Sequence, residues 1–97
     1  MDAPARKALS VIRRCVARGR YLLLSHFTER MDERGLFWPD VLAVLDEPTG
    51  VRPGGSEWWG RPKWLIAGRS ASGDVLEIVC VLDKDERGNV TVFITMY

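Results

Sequence analysis

His26, Arg30 and Arg34 recur every four residues, a spacing that stacks side chains along one face of a helix. One imidazole and two guanidiniums in a row suit a phosphate group. Arginine offers a planar fork of donors, and histidine can move a proton near neutral pH. The same residues also fit a solvated helix surface, with Arg30 paired to Glu33 and His26 a half-buried structural residue. A second set lies in the C-terminal half. Arg61, Lys63 and Arg69 are cations, Tyr97 terminates a strand-like run, and Trp58 and Trp59 are adjacent aromatics. Neighbours in an extended segment point to opposite sides, so one tryptophan is free to stack on a nucleobase or to cover a sheet edge.

This inventory can support metal-independent RNA cleavage. That reaction needs a base for the 2′-hydroxyl, an acid for the leaving oxygen and cations around the strained phosphate. The 2′-hydroxyl is itself the nucleophile, so the protein need supply none and DNA is inert. Cys15, Cys80 and the single histidine give no metal-ligand spacing, and the two thiols read as buried and free. A phosphate-cradling glycine loop, paired carboxylates and a Cys–His nucleophile are likewise missing from the sequence. The expectation is chemistry without metal or cofactor.

Elements must position these groups. Pro4–Arg18 reads as an amphipathic helix with Leu9, Ile12 and Val16 inward, ended by Gly19. Arg20–Leu24 is long enough for one strand. Ser25 reads as the N-cap of the His–Arg helix, which carries Phe27 and Met31 toward the core and stops at Gly35. Pro39 fits the first turn of a third helix running to Asp46 and burying Val41, Leu42 and Leu45. Residues Glu47–Pro62, rich in Pro and Gly, read as a long loop. Lys63–Arg69, Val75–Leu82 and Val90–Tyr97 read as antiparallel strands, the last with Val90, Val92, Ile94 and Met96 on one face and Thr91, Phe93, Thr95 and Tyr97 on the other. The result is one α+β domain over residues 1–97, with helices packed on a twisted antiparallel sheet of three to four strands.

Composition agrees with a small soluble domain: 97 residues, 46% hydrophobic, 28% charged and a net charge of +1. The charge is uneven. Arg6, Lys7, Arg13, Arg14, Arg18 and Arg20 all precede the first interior acid, Glu29. A basic end on a neutral domain fits an anionic ligand on one face, or a solvated helix. The sequence has no run of ~18 apolar residues and no signal-peptide pattern, so no membrane is expected and a reducing cytoplasm is the natural compartment.

The pattern Ser25-His26-x3-Arg30-Met31-x2-Arg34-Gly35-Leu36-x3-Asp40-Val41, followed by a Gly-rich β half ending in Ile94-Thr95-Met96-Tyr97, resembles an uncharacterised bacterial domain family. That family is similar in layout to the MqsR and BrnT toxins, which share the RelE-like fold of mRNA interferases. The resemblance implies the toxin of a type II toxin–antitoxin system, an endoribonuclease that cleaves mRNA, free or on the ribosome. It also implies a cognate antitoxin, of the MqsA-like zinc-finger kind, and no binding to DNA by the toxin alone. In MqsR-like toxins a mid-strand Tyr with nearby Lys and Gln is implicated in cleavage, whereas Gly73–Ile78 here carries no Tyr. The catalytic candidates are therefore His26, Arg30, Arg34 and Tyr97, and the substrate-binding candidates Arg61, Lys63, Arg69, Trp58 and Trp59. The basic helix residues Arg13, Arg14 and Arg18 are the candidate antitoxin contact. The alternative from another class is a non-catalytic RNA- or protein-binding module of the same fold.

Overall fold

A computed structural model describes residues 1–97, the side chains of residues 56–58 excepted. Helix α1 (Ala3–Ala17) opens on Asp2, whose carboxylate accepts a hydrogen bond from the Ala5 N–H at 2.9 Å, satisfying one of the donors left over in a first turn. Gly19, at φ +70°, follows the helix end. Strand β1 (Tyr21–Leu23) leads directly into α2 (Ser25–Glu33) and α3 (Trp38–Asp46). Four strands follow: β2 (Gly50–Trp58), β3 (Arg61–Arg69), β4 (Val75–Asp85) and β5 (Gly88–Met96). They form one sheet in the order β1-β5-β4-β3-β2. No helix among the described residues is long and apolar enough to cross a membrane.

The α+β layout and the antiparallel β4–β5 pairing follow the sequence reading, but the sheet departs from it in two ways. It has five strands, and β1 runs parallel to β5, with Leu22 opposite Val92, so the sheet is mixed. The added strand β2 comes from the segment that composition marks as a loop. Its proline and glycines fit a bulged edge strand. Pro53 stands opposite Trp64 and Glu57 opposite Pro62, so residues 54–56 face Lys63 alone. A Cβ on Gly54 would lie 2.9 Å from the Lys63 Cβ, and Gly55 takes φ +78°. The hairpin then turns through Trp59 and Gly60, both left-handed at φ 48° and 77°, the pattern of a two-residue type I′ turn.

Strand alternation separates two faces. Leu76, Ile78 and Cys80 of β4 join Ile66 of β3 and the buried residues of the helices, including Leu9, Ile12, Phe27, Val41 and Val44, in one core. Val79 and Val81 take the opposite parity and lie on the other face, with Val92 opposite Val81. In β5 the strict alternation expected from the sequence breaks. Phe93 pairs with Cys80 and Thr95 with Val79, leaving Ile94 as an extra residue. This bulge puts both Phe93 and Met96 in the core, whereas the sequence pattern sets them on opposite faces.

One local expectation is also corrected. Ser25 is the first residue of α2 rather than its N-cap, which is Leu24 with no side-chain hydrogen bond. The Ser25 carbonyl instead accepts from Thr28 Oγ1 at 3.0 Å. Arg13, though exposed, also has partners within the fold. Its Nε donates to the Leu45 carbonyl at 2.7 Å and its Nη2 to that of Asp46 at 2.8 Å, so it closes the C-terminal end of α3 with a cation.

Thr91, opposite Leu82 and fully buried, has no hydrogen-bond partner for its hydroxyl among the described residues. An unpaired buried polar atom costs ~1–3 kcal/mol. Thr91→Val keeps the shape and removes the hydroxyl, so it is expected to raise stability by about 1 kcal/mol in urea unfolding. A loss of stability would show that the hydroxyl is satisfied.

Candidate nucleic-acid interface

The helices contribute to the core on one side of the sheet, and Val79, Val81 and Val92, on the other side, are buried as well. The register draws a row across that second face: Lys63 beside Val81, Val81 beside Val92, and Val92 beside Leu22, of which the apolar residue exposed is Leu22. A second row places Asp83 beside Val90, with Arg61 Nε 3.5 Å from Asp83 Oδ1.

At the β1 end of this face lies a cleft of about 600 Å³, lined by Leu22, Val90 and Val92, with Tyr21, Leu24 and Trp59 also on its wall. Trp59 is 85% exposed. Its position there is a consequence of the bent hairpin. β3 lies three strands from β1, roughly 14 Å at the usual spacing of ~4.8 Å. The β2–β3 tip must therefore lean back across the sheet for Trp59 to share a cleft with Tyr21 and Leu22. The bulge at Gly54 and Gly55 supplies that bend. A tryptophan held in the left-handed region costs ~1–2 kcal/mol, and such local strain collects at functional sites.

The cleft is electrically balanced. Arg20 and Lys84 line it together with Asp83 and Asp85. Arg20 Nη2 hydrogen-bonds Asp85 Oδ1, and Asp83 pairs with Arg61. The Arg20 hydrogen bond, helped by the Arg87 backbone N–H, holds the Asp85 carboxyl below its usual pKa, and the same contact raises that of Arg20. Both stay charged at neutral pH and largely cancel. An apolar floor, a tryptophan wall and no surplus charge suit the flat, uncharged part of a ligand, such as a nucleobase.

The structure brings only some of the candidate residues here. Trp59 lines the cleft, Arg61 reaches it through Asp83, and Lys63 shares its sheet face. Arg69 stands at the other end of β3, where its Nη1 donates to the Gly73 carbonyl at 3.1 Å. Trp58 lies outside the described residues as far as its side chain is concerned. His26 and Arg30 lie on the solvent side of α2, and Arg34 follows as its C-cap, exposed as well. The His26 side chain is 81% exposed, with Nδ1 3.8 Å from Glu29 Oε2. It is not half-buried. Arg30 Nη1 lies 3.9 Å from Glu33 Oε2, and Arg34 Nη2 donates to the Val75 carbonyl at 3.3 Å. Tyr97 is exposed and exchanges backbone hydrogen bonds with Glu77. None of these four side chains lines the cleft.

Sequence reasoning misses Arg20, Leu22, Val90 and Val92. The three apolar residues carry the right signal, since alternation marks a second apolar face. What hides their role is that a surface face and a core face look alike until the helices choose a side. Burial pushes the Cys80 thiol up to about 12, so it stays protonated and is no nucleophile. Among the described residues no group of three or more His, Cys, Asp or Glu side chains could hold a metal ion.

The chain belongs to the family described as "Domain of unknown function (DUF4258)", whose model matches residues 23–97. That span begins at the last residue of β1 and takes in α2, α3 and β2–β5. No curated protein and no solved structure matches the chain.

Proposed function

We propose that this domain binds single-stranded RNA at the cleft under Trp59 and serves as the toxin of a bacterial toxin–antitoxin pair, an mRNA endoribonuclease of RelE-like fold. The observation that carries the binding half is the apolar, charge-balanced cleft under Trp59. Base stacking on an aromatic ring is tolerant of sequence and needs an exposed π-face. The cleavage half rests on the His-x3-Arg-x3-Arg row and on the resemblance to MqsR-like and BrnT-like toxins. Its substrate is mRNA, free or ribosome-bound, its silencer a cognate antitoxin of the MqsA-like kind, and its place of action the cytoplasm.

A second reading, a non-catalytic RNA-binding module, is favoured by one specific observation. His26 and Arg30 stand in solvent beside Glu29 and Glu33, outside the cleft.

Trp59→Asn tests the shared part of both readings. Asn-Gly is the preferred pair for a type I′ turn, so the substitution keeps the hairpin while removing the ring. Loss of one stacked base is worth ~1–3 kcal/mol, a weakening of roughly 5- to 150-fold in Kd. Fluorescence anisotropy with a single-stranded oligoribonucleotide should show that weakening at unchanged far-UV circular dichroism. Unchanged affinity would remove the cleft from the interface.

A further inference from the structure

Arg20 also lines a separate cavity of about 380 Å³. Arg14, Arg18, Arg20 and Arg87 all line it, with Asn89 and Cys15, and among the described residues no carboxylate does. We propose that this cavity is a phosphate-binding site, and that it holds a phosphate of the same RNA strand whose base occupies the neighbouring cleft. The proposal deepens the RNA reading above and rests on it for the identity of the polyanion.

The walls are fixed by backbone. Arg14 and Arg18 are four residues apart at the end of α1, so their side chains rise together. The Arg20 N–H donates to the Cys15 carbonyl at 2.8 Å, and its carbonyl accepts from the Thr91 N–H at 3.1 Å. Those bonds set the helix end beside the start of β5. Arg20 then reaches the β4–β5 turn, hydrogen-bonding Asp85 Oδ1 and the Gly88 carbonyl. The Arg87 N–H donates to the same Asp85 oxygen at 2.8 Å. This clamp holds the turn that carries Arg87 against the end of α1, and so closes the fourth side.

Charge separates a ligand site from simple helix capping. Basic residues are common in a last helical turn because the C-terminus carries roughly half a negative charge. Here Asp85 pairs with Arg20 and also feels the charge of Arg87, while among the described residues no ion pair forms with Arg14 or Arg18. Arg14 and Arg18 are thus left without an ion pair beside Arg20 and Arg87, which share Asp85, and four guanidiniums around one carboxylate leave the cavity with a surplus of positive charge. Arginine forks match the oxygens of a phosphate bidentately, and the Asn89 amide adds an uncharged donor. Because Arg20 lines both cavities, a nucleotide could place its base under Trp59 and its phosphate here. The phosphate could be an internal phosphodiester or a terminal phosphomonoester, and the two sources are separable by experiment.

The test uses the full chain and the double variant Arg14→Gln/Arg18→Gln, whose substituted side chains are both exposed. First, inorganic pyrophosphate is titrated while backbone amide NMR shifts are followed. Saturable shifts at Gly19, Arg20, Gly88 and Asn89, lost in the double variant, are expected. Second, oligoribonucleotide affinity is measured against salt. Removing one phosphate contact should lower the slope of log K against log salt by about 0.7 and weaken binding about tenfold at low salt. A 5′-phosphorylated oligoribonucleotide that binds tighter than its 5′-hydroxyl twin assigns the cavity to a terminal phosphate, and equal binding assigns it to an internal one. No pyrophosphate shifts at these amides, with RNA affinity and salt slope unchanged in the double variant, would overturn the proposal while leaving the RNA reading intact. Pyrophosphate shifts without RNA binding by the parent keep the phosphate site and overturn its RNA assignment. If neither probe binds, both fail.

Discussion

Induced without an antitoxin, the parent chain should arrest growth and fragment mRNA, and the His26→Gln chain should do neither. Losing general acid–base catalysis typically lowers a rate by ~10²–10⁴, enough to abolish toxicity at ordinary expression. The structure makes this a clean experiment. The His26 side chain is exposed and its ion-pair partner, Glu29, is exposed as well, so the substitution removes little packing. An exposed pair contributes about 0–1 kcal/mol, and the melting temperature should hardly move. Glu29→Gln is the control: it breaks the same pair and keeps the imidazole, so toxicity should persist. Arg30→Ala should follow His26→Gln if the guanidinium grips the substrate, because its contact to Glu33 is long and solvated. A folded His26→Gln chain that remains as toxic as the parent takes the α2 face out of the chemistry. A parent chain that binds RNA and leaves it intact establishes the non-catalytic module instead.

Much of the fold is legible in the sequence, and the failures have identifiable causes. Leu9, Ile12 and Val16 announce α1, and the β4–β5 hairpin follows from two apolar runs joined by a polar turn. The helix-stop signals at Gly19 and Gly35 are real, both glycines standing at positive φ. What sequence could not show is β2. Its Pro53, Gly54 and Gly55 are the residues that a bulged edge strand needs, and they are equally the residues of a loop. The parallel β1–β5 pair was out of reach for a different reason. Tyr21 and Thr91 are seventy residues apart, and no local pattern couples them. The same distance explains the arginine cavity: Arg14, Arg18 and Arg87 read as scattered surface charge until Arg20 meets Asp85. In the opposite direction, the α2 row was fully legible as a row. Its spacing could not tell whether the row faced a cleft or water.

Phe93→Ala should bring the domain close to unfolding. Phe93 is fully buried at the point where β1, β4 and β5 meet the helices, paired with Leu23 on one side and Cys80 on the other. Three aromatic rings surround it: Phe27 at 5.3 Å between centroids, Trp38 at 5.7 Å edge-on and Tyr21 at 6.2 Å edge-on. Tyr21 and Trp38 in turn stack at 4.8 Å. Deleting such a ring costs ~3–5 kcal/mol from lost transfer energy and the cavity left behind. A small domain holds about 5–15 kcal/mol in total, so the midpoint of urea unfolding should fall steeply. The loss should reach the proposed RNA-binding cleft too. The Phe93 carbonyl accepts from the Leu24 N–H, which fixes the strand-to-helix corner at the rim of the cleft, so RNA binding should fade along with the folded fraction. The neighbouring residue makes the prediction discriminating. Strict alternation would place Ile94 with Met96 and set Phe93 on the opposite face, so that one face could not hold both Phe93 and Met96. The bulge instead sends Phe93 inward and leaves Ile94 only partly buried. Ile94→Ala should therefore cost clearly less than Phe93→Ala in parallel urea titrations followed by circular dichroism and tryptophan fluorescence. Equal costs, or a larger one for Ile94→Ala, would place the wrong side chain in the core and with it the wrong face against the helices.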